Sequence, residues 1–174
     1  MNLTTLRALQ SRVRECKGAD RELDCIIQAV FDGRTIREEN NMIFARSSRP
    51  PHDECLLGTI DPGRHQRNFT EAYRNPKVPY FTTDPDGLGA CVSLLNAVLP
   101  GWTRVVDASA PELGIAVELL PPDDAPPALQ AAKIKGDHDL ETHAHLEAIF
   151  SAAIAQLEAQ LNKENTHEID HPSL

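Results

Sequence analysis

The chain has 174 residues, 41% of them apolar and 25% charged, with 13 prolines and a formal net charge of −9. That length and composition suit one globular domain with a core of its own, and no run approaches the roughly 18 apolar residues of a membrane span. The charge is uneven: residues 78–174 hold four basic and fifteen acidic side chains, which argues against a surface for duplex nucleic acid, since phosphate contacts need clustered Lys and Arg.

In chain order, Leu3, Leu6, Leu9 and Val13 share one side of a helix that Lys17-Gly18 breaks. This predicts a helical extension over residues 1–18, free or paired as a hairpin with the next helix. Asp20 can cap that second helix, RELDCIIQAVF, and Gly33 is its natural stop. A single α+β domain is expected over 19–162, with an irregular insertion at 34–78. Within the insertion, Met42-Ile43-Phe44 and Cys55 to Ile60 read as two short strands joined by SSRPPHD. The segment carries eight basic and six acidic side chains. Arg46, Arg49, Arg64 and Arg67 are its candidates for meeting a small anionic ligand.

PYFTTDPDGLGACVSLLNAVLPGW, residues 79–102, predicts a helix capped by Asp84, with Pro85 at its first position and Pro100-Gly101 as its stop. Asp84 and Asp86 then belong to the cap and dipole, not to an acid–base pair. A strand follows from Trp102 to Val106, and a second from Ile115 to Leu120. Pro121 to Pro127 must be a loop, followed by a short helix from Pro127 to Lys135. The last long helix runs from about Thr142 to Asn162, and residues 163–174 form a frayed tail. The fold expected is a small antiparallel sheet packed by helices.

Two polar clusters suggest chemistry. His138, His143 and His145, among Asp137, Asp139 and Glu141, offer a ligand set for zinc or another divalent ion. Spacings of five and two are poor on a helix, and an acidic helix start explains the carboxylates equally. His52, Asp53 and Cys55 offer a thiol beside a base, but a turn entering a strand accounts for them better. Phosphate loops, GxSxG, HExxH and CxxC do not occur. Cys16, Cys25, Cys55 and Cys91 show no paired spacing. With no basic, apolar leader at Met1, a cytoplasmic protein with reduced thiols is expected.

DRELDCIIQAVFDG at 20–33, the 79–102 segment and AHLEAIFSAAIAQLEAQL at 144–161 together resemble small phage- and prophage-borne proteins with a phage ABA-sandwich domain. Phe81, Asp84 and Gly87-Leu88 stand where that pattern carries Tyr, Ser and Ala-Ala. The resemblance implies helices on an antiparallel sheet, residence in a bacterial host and no settled activity, so no site residues come with it. A non-enzymatic accessory protein is expected, binding a ligand or a host partner without a cofactor. One version is a counter-defence protein that sequesters a nucleotide signal or inhibits an immune protein. A metal-dependent hydrolase built on His138 to His145, or an assembly protein acting as a homo-oligomer, are the alternatives.

Overall fold

The computed structural model describes residues 2–64, 66–69, 78–109, 114–132 and 134–169, with side chains through residue 164. It is an α+β fold with two separate antiparallel sheets. Helix α1 spans Leu3–Glu15 and α2 spans Arg21–Phe31. A four-stranded meander follows: β1 Arg34–Glu39, β2 Met42–Ser47, β3 Glu54–Asp61 and β4 Gln66–Asn68. Then come α3 Leu88–Val98, β5 Thr103–Asp107, β6 Ile115–Leu120, α4 Pro127–Gln130, β7 Ile134–His138 and α5 Glu141–Ile169. Strands β5, β6 and β7 form the second sheet in that order.

Helix α2 begins where local chemistry says it should, with the Asp20 carboxylate accepting from the Leu23 N–H at 2.9 Å. It ends before Gly33, whose φ of +69° suits glycine. Its two faces serve two cores. Leu23 and Ile27 join the main core, while Cys25 and Ala29 pack with Ile43, Ala45, Leu57, Phe69 and Val78 under the first sheet. The segment at 34–78, expected as an irregular insertion, is thus largely an ordered sheet folded over α2. Its β1 is mostly charged and its β4 short, which hid both from a reading of apolar runs. The β1–β2 hairpin turns on Asn40 and Asn41, both at positive φ, as a two-residue turn of the right twist requires. The part of this segment at 70–77 lies outside the described residues.

Helix α1 is integrated into the domain, not an extension of it. Leu6, Leu9 and Val13 are at most 4% exposed. Polar bonds fasten it along α5: Arg14 Nε to Glu147 Oε1 at 2.5 Å, Gln10 to Ser151 at 2.7 Å and Arg7 to Glu158 at 2.6 Å. Helix α5 is the centre of the main core, with α1 on one side and strands β6 and β7 on the other. It runs past the expected end near Asn162 to Ile169, and 170–174 lie outside the described residues.

The expected helix over 127–135 stops at Gln130, and β7 takes Ile134 onward. Ile134 and Gly136 face inward and are buried, while Lys135 and Asp137 are exposed, a period of two that glycine concealed. The α3 start also differs from expectation. The helix begins at Leu88 with Gly87 at its cap position and no side-chain cap. Asp84 instead accepts from the Thr142 N–H at 3.3 Å, capping α5 across the fold.

Candidate functional site

Two polar regions meet around the connection from Cys16 to Asp20 between α1 and α2. One is sealed and the other is open.

The sealed region lies where the 78–87 segment passes between the starts of α2 and α5. Asp24, 1% exposed, accepts from the Thr82 N–H at 2.8 Å and from Arg21 Nη1 at 3.1 Å. The Thr82 hydroxyl accepts from the Asp20 N–H at 2.8 Å. Arg21 also donates to the Val78 and Pro79 carbonyls, both at 2.6 Å, and lies over the Tyr80 ring. One arginine thereby ties α2 to the incoming segment. Burial raises the Asp24 carboxyl above its ordinary range, against the lowering effect of its Thr82 and Arg21 bonds. Cys91 donates weakly to the Phe81 and Thr142 carbonyls, and burial pushes its thiol up to about 12. A thiol so hard to ionise is a core group, not a nucleophile. Burial likewise holds Cys25 at about 11.

The three histidines of the metal reading are in or beside this region but do not converge. His145, 1% exposed, receives Arg104 Nη1 on Nε2 at 2.7 Å, and its Nδ1 lies 2.8 Å from the Glu141 carbonyl. Arginine has no acceptor and a carbonyl has no donor. The ring is therefore neutral, protonated on Nδ1, with the nitrogen a metal would need already occupied. His138 and His143 stack at 4.7 Å. His138 Nδ1 accepts from the Leu140 N–H at 3.1 Å, and His143 Nδ1 is 3.2 Å from the Thr142 hydroxyl. His143 Nε2 is buried; the Gly18 backbone is near enough to favour the charged ring, yet Nε2 completes no hydrogen bond of ordinary geometry. Among the described residues, no three His, Cys, Asp or Glu side chains are grouped so as to hold a metal ion.

Burial lowers both His143 and His145, helped by His138 for the first and by Arg104 for the second. A base whose folded pKa is depressed binds fewer protons in the native state than in the unfolded one. The stability it contributes is complete above the 6.5 of an ordinary imidazole and is lost as pH falls through that value. Urea unfolding above and below pH 6.5 is expected to show lower stability on the acid side, with a reduced slope in His145→Gln. A wild-type curve flat across that range would refute the assignment.

The open region is a cavity of about 780 Å³. The 16–22 turn and α2 start form one wall, and Asp61, Gln66, Arg67, Asn68 and Phe69 form the other. Of the four candidate arginines, Arg67 alone lines it. Its guanidinium is engaged, bonding Glu22 at 2.7 Å and Glu38, so it clasps α2 to the sheet. Arg46 stands in register between Thr35 and Glu54, and Arg49 lies in the turn after β2. Arg64 lies beyond the far end of β3, where its N–H donates to Asp61. The eight residues of β3 span about 26 Å, so Arg49 and Arg64 cannot share one small ligand. A further exposed cation is Lys17, which along the sequence reads only as a helix break. It lines the cavity and makes no ion pair among the described residues. Only the fold of the first sheet brings it opposite β4.

Comparison with protein-family models, with curated proteins and with solved structures finds no match for the chain. No described helix is long and apolar enough to cross a membrane.

Proposed function

We propose that the protein acts by binding, and that the cleft between the 16–22 turn and β4 holds a small polar ligand carrying an anionic group. The observation that supports this is the cleft itself. Its volume is of the size that takes a small organic ligand, roughly 300–1,000 Å³. Its charges are nearly all matched internally: Asp20 and Glu22 by Arg12, and Glu22 again by Arg67. Lys17 is left to meet an anion, with Gln66 and Asn68 to offer hydrogen bonds. His143, His145 and Cys91 are committed to the core.

In a phage accessory protein of a bacterial cytoplasm, as the sequence resemblance implies, the ligand would be a nucleotide signal withheld from the host. Titration calorimetry against a panel of linear and cyclic nucleotides is expected to give heat with at least one. Lys17→Ala is expected to weaken that binding about tenfold, the loss of one charge-assisted contact, while leaving the melting curve in place. No heat with any member of the panel would end the nucleotide version.

A further inference from the structure

The second sheet has an open edge. Among the described residues β5 bonds to β6 alone, and all five of its residues are exposed, Val105 at 47% and Val106 at 38%. Edge strands offer a row of unpaired N–H and C=O groups, and natural ones are shielded by proline, bulges or charge. Here there is no proline and no register shift between β5 and β6. Arg104, the one cation of the strand, is drawn to the inner face by His145.

We propose that β5 pairs with β5 of a second copy of this chain, antiparallel, about a two-fold axis through Val105. Such an axis stands normal to the sheet and keeps inner residues facing inner ones. On the outer face Val105 meets the second copy's Val105, and Thr103 meets Asp107, a hydroxyl opposite a carboxylate. On the inner face Arg104 meets Val106. The central outer rung becomes Lys135, Glu118, Val105 and then the same three in reverse, continuing the cross-strand pairing already present. The neighbouring registers fail on charge and polarity. Centring on Arg104 sets two guanidinium groups against each other, and centring on Val106 gives up the Thr103–Asp107 match; either pairs only three residues of each five-residue strand, where the Val105 axis pairs all five. The strand is therefore self-complementary in one register. The product is a continuous six-stranded sheet, β7-β6-β5-β5-β6-β7, and its closed pairing leaves no further β5 edge for growth.

Light scattering of the full chain across a dilution series is expected to show a dimer that dissociates on dilution. Val105→Lys, a change on an exposed side chain, is expected to raise the dissociation constant at least about tenfold with unchanged circular dichroism. Facing residues of an antiparallel pair lie about 4.5–5.5 Å apart, within disulfide reach, while Val106 and its own copy sit on a diagonal beyond it. Val105→Cys under a mild oxidant is thus expected to give a linked dimer whose bridge maps to position 105, and Val106→Cys is not. A monomer at every concentration, a Val105→Lys dimer as tight as wild type, or a bridge at 106 in preference to 105 would overturn the proposal. A monomer that instead captures an extended peptide along β5 would do so too.

Discussion

Gly136→Ala is expected to destabilise the protein by more than about 3 kcal/mol, the upper range for overpacking. Gly136, midway along β7, pairs with Val117 of the central strand β6 and lies directly against α5. A Cβ there would collide with the Ala144 carbonyl oxygen and come within 2.7 Å of the Ala148 nitrogen and 3.0 Å of Glu147 Cβ. Two of these three are backbone atoms of a helix, and no rotamer change can move them. The helix would have to lift from β7, and α5 carries the main core from Ala144 to Ile154. Gly89→Ala is the control. It lies exposed on α3 with nothing within 4 Å of the new methyl. It is expected to be neutral or to stabilise by up to about 1 kcal/mol, because alanine loses less backbone entropy on entering a helix. Urea unfolding of the two variants measures both. Similar midpoints would mean that α5 does not rest on β7 as described.

Asp24→Ala is expected to cost about 3–5 kcal/mol, the range for removing one partner of a buried pair. Arg21, 16% exposed, would lose its carboxylate, and the Thr82 N–H would lose its acceptor. Asp24→Asn keeps an acceptor for Thr82 and is expected to cost less. The two variants thereby separate the hydrogen bond from the charge. The pH dependence has a definite sign. The folded carboxyl is raised from 3.8 by burial, so the native state holds its proton more tightly than the unfolded state. Its contribution to stability is complete below 3.8 and declines as pH rises through the folded value. The advantage of wild type over Asp24→Asn is therefore expected to narrow as pH rises from 3.8. An advantage that widens would mean that charge pairing with Arg21 outweighs burial at this site.

Both predictions turn on residues whose sequence context reveals little. Asp24 sits in a helix next to the well-marked cap Asp20, and nothing in its neighbours announces a partner 58 residues away. Gly136, between Lys135 and Asp137, looks like a loop residue because its role is to have no side chain. The candidate site shows the same divide. Arg67 is recognisable as a cation, but its engagement with Glu22 and Glu38 depends on how the sheet folds over α2. Lys17 looked like a helix break, and its cavity exists only once β4 faces the turn. The His143 and His145 spacing of two did foretell divergent directions, and they do diverge, one toward His138 and the other toward Arg104.

What the sequence determined by itself was local: α2 with its Asp20 cap and Gly33 stop, the apolar stripes of α1 and α5, and the β5–β6 pair. Each rests on interactions within about four residues or on a repeating period, and both can be read along the chain. What the tertiary structure alone decided was non-local. It turned Asp84 from a cap for its own helix into the cap of α5, at a distance of 58 residues. It split the strands into two sheets, drew α1 into the core, sealed His143 and His145 and, among the described residues, left β5 with one partner strand. In each case the side chain's role is set by what covers it, and burial is a property of the packed molecule, not of neighbours in sequence.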